Sequence, residues 1–65
     1  SPLVKKIEER MSDLNLKQRD TAKLLGISEG RMSELLSGKR RVSIRIAKRL
    51  RDNLNINSDF ILDNL

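Results

Sequence analysis

The stretch from Gln18 to Ser37, QRDTAKLLGISEGRMSELLS, predicts two short helices joined by a tight turn. Gly26 follows two leucines, at the place where helices commonly end in a left-handed residue, which glycine adopts at little cost. Ser28 then offers a side-chain oxygen that can cap the next helix. Three apolar residues of that second helix recur at helical spacing and share one face: Met32, Leu35 and Leu36. The predicted unit is a helix, a turn and a second helix with one buried side.

The other side of the second helix carries small and polar residues. They are Glu29, Gly30, Ser33, Glu34 and Ser37. A helix that is buried on one face and polar on the opposite face, held at an angle to its predecessor, suits insertion into the major groove of DNA. The stretch therefore indicates double-stranded DNA as the partner.

The same stretch resembles the helix-turn-helix of the lambdoid phage repressors and the wider Xre family. The resemblance is carried by Gln18, which opens the first helix, and by five framework residues: Ala22, Gly26, Ile27, Met32 and Leu35. It covers roughly Leu3 to Leu62 of the chain. It implies an all-α, five-helix, lambda repressor-like domain over residues 1–65, with a central helix-turn-helix, that binds double-stranded DNA and represses transcription.

Two further segments are most similar to the HigA-type antitoxins within that family. They are SGKRRVSIRIAKRL (Ser37–Leu50) and INSDFIL (Ile56–Leu62). Such proteins bind a partner toxin, typically a ribosome-dependent mRNA-cleaving enzyme, and repress their own operon. The resemblance thus implies the antitoxin of a toxin–antitoxin pair. A phage-type repressor, or another small Xre regulator without a toxin, is the alternative within the same class.

The family pattern also assigns roles to single residues. It places base-edge contacts on Glu29, Gly30, Ser33 and Glu34, and we expect phosphate contacts from Gln18, Ser28, Arg31, Ser37, Lys39, Arg40 and Arg41. A carboxylate can accept a hydrogen bond from the N4 amine of cytosine, and serine can pair with several bases. For Glu29, stabilisation of the helix N-terminus through the helix dipole is the alternative to base reading.

Apolar spacing predicts a first helix ahead of this motif. It opens with Ser1 as a candidate cap and Pro2 in the first turn, and its inward stripe is Leu3, Ile7, Met11 and Leu14. Many family members carry an Arg–Glu pair at the places of Met11 and Leu36, and Thr21 stands where a larger apolar residue is usual. Exchanging a buried ion pair for apolar groups is often neutral or stabilising, so the predicted fold is unchanged.

Two more helices are predicted after the motif. Ser43 can cap a fourth helix from Ile44 to Leu54, and Ser58 can cap a last short helix. The inward stripe of the fourth helix is predicted to be Ile44, Ala47, Leu50 and Leu54. Ile46 falls off that stripe, as a lateral contact or an exposed residue.

The distribution of charge favours a polyanionic partner. The net charge of the 65 residues is +5, and residues 31–51 contain eight basic residues against one acidic residue. The rest of the chain has six basic and eight acidic residues, so the positive charge is concentrated beside the second helix of the motif. The basic triplet Lys39, Arg40 and Arg41 would meet the DNA backbone, where each neutralised phosphate releases counterions.

Several function classes are excluded or disfavoured by composition. The chain has no cysteine and no histidine, which excludes disulfides, thiolate or histidine catalysis and the usual zinc sites, and we expect no metal or cofactor. No apolar run approaches the roughly 20 residues of a membrane span, and we expect a cytoplasmic location. The absence of Tyr and Trp disfavours a single-strand stacking platform. Scattered serines and carboxylates suggest no catalytic site, so an enzyme is not expected.

One such module reads only a few base pairs, so a homodimer is expected, with half-sites about 34 Å apart. The last helix is its predicted surface, through Phe60, Ile61 and Leu65. A helical protein-interaction module without DNA binding is the alternative from a different class. Such a module would not need a basic zone beside the polar helix.

Overall fold

Five α-helices account for all regular secondary structure in the computed structural model, which describes every residue from Ser1 to Leu65. They are α1 (Pro2–Asp13), α2 (Gln18–Leu25), α3 (Glu29–Leu36), α4 (Ile44–Leu54) and α5 (Ser58–Asp63). The all-α, five-helix prediction is confirmed, and the stretch Gln18–Ser37 forms the helix-turn-helix as α2 and α3.

Local capping chemistry explains where most helices begin. The side-chain oxygens of Ser1, Ser28 and Ser43 each accept a hydrogen bond, at 3.2 Å, from the backbone N–H three residues later. These bonds satisfy donors that a helix start otherwise leaves without a partner. The predicted cap of α5 was wrong by one residue. Asn57 Oδ1 accepts from the N–H of Phe60 at 3.1 Å, and Ser58 is the first helical residue.

The centre of the fold is α4, which packs against α1, α2 and α5, while α3 packs against α1 and α2. Twelve buried apolar side chains form one core cluster: Leu3, Ile7, Ala22, Leu25, Met32, Leu35, Ile46, Ala47, Leu50, Leu54, Ile56 and Ile61. Met32 and Leu35 hold the apolar face of α3 in this core. Burial of that face turns the opposite, polar face of α3 towards solvent.

The predicted inward stripe of α4 was wrong at its first turn. Ile46 is buried, and Ile44 is 59% exposed. Ile46 lies four residues before the fully buried Leu50 and therefore shares its row on the helix. Ile44 lies six residues before Leu50, about 120° around the helix from that row, and faces solvent.

The ends of α1 and α2 show two further differences from expectation. Leu14, predicted to lie in the inward stripe of α1, is 44% exposed, because the helix ends at Asp13. Thr21 is completely buried in place of a larger apolar residue, and its hydroxyl donates to the carbonyl of Lys17 at 3.0 Å. That bond satisfies the hydroxyl, so burying this polar side chain carries little cost.

A long-range hydrogen bond joins α1 to the C-terminal end of α4. Arg10 Nε on α1 donates to the carbonyl of Leu54, the last residue of α4, at 2.8 Å. A positive charge beside the C-terminus of a helix also interacts favourably with the helix dipole. The same guanidinium pairs with Asp13 through Nη1 at 3.1 Å. None of the five helices is both long and apolar enough to cross a membrane.

Candidate nucleic-acid interface

The turn between α2 and α3 is built around Gly26, which adopts φ +67° and ψ +34°. Its N–H donates to the carbonyl of Lys23 at 3.1 Å, and the N–H of Ile27 donates to that of Ala22 at 3.0 Å. A Cβ atom at Gly26 would lie 3.2 Å from Nη1 of Arg49 on α4. The left-handed backbone favours glycine here, and it sets the direction in which α3 leaves α2.

The polar face of α3 is open to solvent. Glu29, Gly30 and Ser33 are exposed, and the Glu34 side chain is 42% exposed. A Cβ atom at Gly30 would meet only the Ser28 hydroxyl, at 3.9 Å, so no other part of the chain covers the start of this face. All four predicted base-reading residues therefore lie where an incoming duplex can reach them.

The polar side chains predicted to bind phosphate already make hydrogen bonds within the chain. Ser28 Oγ accepts from the N–H of Arg31 and keeps its own proton free to donate. Ser37 Oγ donates to the carbonyl of Glu34 at 3.2 Å, so it cannot at the same time donate to a phosphate. Gln18 Nε2 lies 3.5 Å from the carbonyl of Glu29, which is a weak bond that a phosphate oxygen can replace.

The basic loop, residues 38–41, folds back onto the end of α3. Gly38, at φ +80°, reverses the chain direction. The N–H groups of Lys39 and Arg40 then both donate to the carbonyl of Glu34, at 2.9 and 3.3 Å. The side chains of Lys39, Arg40 and Arg41 are exposed, and Arg40 contacts the polar face of α3 through Glu34.

One ion pair joins the two groups of predicted contact residues. Arg40 Nε lies 3.2 Å from Glu34 Oε1, and the two side chains are 44% and 42% exposed. Glu34 was predicted to read a base and Arg40 to bind a phosphate, with no contact expected between them. Arg31, Lys39 and Arg41 take part in none of the four ion pairs of the protein.

The other four basic residues of the stretch 31–51, apart from Arg31 on α3, lie on α4. Arg49 packs against the turn at Gly26, and Lys48 and Arg51 border a groove between α4 and α5. Arg51 is also bonded to Asp52, Nε to Oδ1, at 2.8 Å. This hydrogen bond and the charge of Arg51 lower the pKa of the exposed Asp52 carboxyl. The single basic zone seen in the sequence is thus divided between the loop and α4.

The three residues of the predicted dimer surface differ in exposure. Ile61 is 2% exposed, since it packs in the core, and it lines the inner side of the groove between α4 and α5. Phe60 is half-buried, with Lys6 Nζ 5.4 Å from its ring centroid, and Leu65 is exposed. The large apolar residues that border the α4–α5 groove are instead Ile44 and Leu62, which are 59% and 57% exposed.

Comparison with known proteins places this geometry in a family. Residues 7–61 match the family model HTH_3, described as helix-turn-helix, which covers most of the chain. No curated protein and no solved structure gives a significant match. The matched region contains the whole of α2, α3 and α4, including the turn at Gly26 and the basic loop. The chain therefore belongs to the HTH_3 family of Xre-type, lambda repressor-like helix-turn-helix domains, which bind DNA.

Proposed function

We propose that this protein is a transcriptional repressor that recognises a specific double-stranded operator. One observation carries the proposal: the polar face of α3 is exposed, and the basic loop of residues 38–41 lies directly beside it. A duplex docked on α3 would bring base edges to Glu29, Gly30, Ser33 and Glu34. Its backbone would then run past the loop, where phosphates meet positive charge.

The proposed contacts divide into anchors and readers. The anchors are Arg31, Lys39 and Arg41, which are exposed and unpaired, together with Gln18 and Ser28 at the starts of α2 and α3. Backbone N–H groups at a helix start attract anions, and this strengthens phosphate contacts there. The readers are Ser33 and the two glutamates, whose carboxylates can accept from the amine of cytosine, while Gly30 has no side chain and leaves room for close approach.

Selection of bound duplexes from a random pool tests this function. We expect one recurring sequence whose affinity at physiological salt exceeds that of random DNA by about a thousandfold or more. Equal binding to all duplexes would refute sequence recognition. Failure of an electrophoretic shift even at low salt would instead favour the protein-interaction alternative.

We further propose that the repressor acts as a homodimer through the α4–α5 groove. Ile44 and Leu62 offer exposed apolar area at its edges. The charges of the two helices are complementary, because α4 carries four basic residues and one acidic residue, whereas α5 carries Asp59 and Asp63 and no basic residue. A two-fold axis that sets α4 of one copy against α5 of the other therefore pairs opposite charges.

Sedimentation of Ile44→Glu, with and without operator DNA, tests the dimer. We expect the variant to shift towards monomer and to lose binding to a symmetric operator, but not to a single half-site. Leu14→Glu is the matched control, because Leu14 is also an exposed apolar residue but lies at the end of α1. A wild-type protein that stays monomeric on its operator would remove the dimer proposal.

The antitoxin role is a finer proposal, supported by the resemblance of Ser37–Leu50 and Ile56–Leu62 to HigA-type antitoxins. These segments form the basic loop, most of α4 and the larger part of α5. Co-expression with the neighbouring gene of its operon tests the proposal. A small mRNA-cleaving toxin that co-purifies and loses activity supports it. The absence of such a partner would favour a phage-type repressor or another small Xre regulator.

A further inference from the structure

The ion pair between Glu34 and Arg40 is held in place by the backbone. The Glu34 carbonyl accepts from the N–H groups of Lys39 and Arg40 and from the hydroxyl of Ser37. These three bonds keep the start of the loop within reach of the Glu34 carboxylate. Arg40 Nε then reaches Glu34 Oε1 at 3.2 Å. The local backbone arrangement therefore brings the two side chains together.

Only part of each charged group is used in the pair. Arg40 donates through Nε, so its two terminal nitrogens make no bond within the chain, and Glu34 accepts through Oε1, so Oε2 is free. Both side chains are nearly half exposed. An exposed ion pair of this kind is weak, and opening it costs no more than about a fivefold change in an equilibrium constant. Another hydrogen-bonding partner of similar strength can therefore replace either side.

The neighbouring cations lack this arrangement. Lys39 and Arg41 flank Arg40 in the same loop and are exposed, but neither forms an ion pair. Each is ready to neutralise a phosphate of any sequence. Arg40 differs because its charge is cancelled by a residue on the reading face of α3.

We propose that the Glu34–Arg40 pair links base recognition to phosphate binding. This proposal rests on the proposed DNA-binding function of α3 and the loop. On random DNA the pair stays closed, Arg40 adds no net charge, and affinity is kept low. On the operator, a cytosine amine donates a hydrogen bond to the Glu34 carboxylate in place of Arg40, and the released Arg40 binds a phosphate. The pair thus increases the ratio of specific to non-specific binding by restraining one anchor until the correct base is present.

The exchange has a measurable signature in the salt dependence of binding. Each neutralised phosphate adds about 0.9 to the slope of log affinity against log salt. Wild-type protein should therefore show a steeper slope on its operator than on random duplex, by about one phosphate. Glu34→Gln should expose the Arg40 charge on random DNA, which steepens that slope by about 0.9 and raises the affinity about three- to tenfold at 0.1 M salt.

The experiment measures fluorescence anisotropy over a range of salt, with the selected operator and with a random duplex. The proteins are wild type, Glu34→Gln, Arg40→Gln and the double variant, with Arg41→Gln as the unpaired control. The double variant removes a neutral pair, so we expect it to match wild type within about twofold on random DNA and to bind the operator at least about tenfold more weakly. Arg41→Gln should flatten both slopes equally.

Two results would overturn the proposal. One is an unchanged affinity and slope of Glu34→Gln on random DNA. The other is a double variant that loses as much affinity for random DNA as Arg41→Gln does. In both cases a wild-type protein that still prefers its operator leaves the repressor function intact. A wild-type protein without any preference would overturn the repressor function, and this proposal with it.

Discussion

Replacing the glycines one at a time tests the geometry that sets α3 against α2. Gly26 and Gly38 have left-handed backbones, at φ +67° and +80°, whereas Gly30 lies inside α3. Alanine in a left-handed conformation costs about 1 to 2 kcal/mol. Loss of glycine flexibility in the unfolded chain offsets about 0.4 to 1 kcal/mol of this. Gly26→Ala and Gly38→Ala should therefore each lower the free energy of unfolding by about 1 kcal/mol.

Gly30→Ala should change stability in the opposite direction. An added Cβ would meet nothing closer than the Ser28 hydroxyl at 3.9 Å, and alanine in place of glycine stabilises a helix by up to about 1 kcal/mol, less in the first turn, where Gly30 lies. Gly26→Ala and Gly30→Ala should thus differ by about 1 to 2 kcal/mol. This is a large part of the roughly 3 to 10 kcal/mol expected for a domain of this size.

Urea unfolding followed by circular dichroism at the helix band measures this difference. With a slope of about 1 kcal/mol per molar urea, the two midpoints should lie about 1 to 2 M apart. The Arg49 guanidinium near Gly26 adds little to the loss of stability in Gly26→Ala. It is the flexible end of its side chain and can move away from a Cβ atom 3.2 Å distant. Midpoints that move in the same direction for Gly26→Ala and Gly30→Ala would refute the assigned backbone geometry. A much larger loss at Gly26 than at Gly38 would show that Arg49 cannot yield.

Three further perturbations test other parts of the structure. Arg41→Ala should reduce the salt slope by about 0.9 on every duplex, and an effect confined to one sequence would contradict its assignment as an anchor. Arg10→Met should lower the free energy of unfolding in urea by about 1 to 2 kcal/mol, because it keeps the apolar stem but removes the donor to the Leu54 carbonyl. The lowered pKa of Asp52 contributes stability that is present above the unfolded-state pKa near 4 and is lost as pH falls through the folded-state value. As pH falls below about 4, the free energy of unfolding of Asp52→Asn should therefore decrease slightly less than that of wild type. An identical pH dependence of the two proteins would show that the bond between Asp52 and Arg51 does not persist in solution.

The helix-turn-helix could be predicted from the sequence because its signals are local. Gly26 and Ser28 define the turn through bonds that span three to five residues, and Met32 and Leu35 define the buried face through helical spacing. The family match over residues 7–61 confirms this prediction. The similarity to HigA-type antitoxins, the single residue roles and the dimer stay predictions.

Two residues were misplaced because their helices, α4 and α5, carry more apolar residues than the buried faces hold. Ile44 and Ile46 both suited α4, and only its packing against α1, α2 and α5 decided that Ile46 is inside. Ile61 looked available for a partner, although the short α5 uses it to attach to the core. Apolar character shows that a residue can be buried, but not which neighbour buries it.

The sequence by itself determined the five helices, most of their caps, the buried side of α3 and the position of positive charge beside it, since each depends on residues within one or two turns of one another. Only the tertiary structure decided which distant groups meet. Arg10 reaches a carbonyl 44 residues away, and Arg49 of α4 covers Gly26 in the turn between α2 and α3. These contacts depend on the angles between packed helices, and such angles follow from the whole core rather than from any segment of the chain.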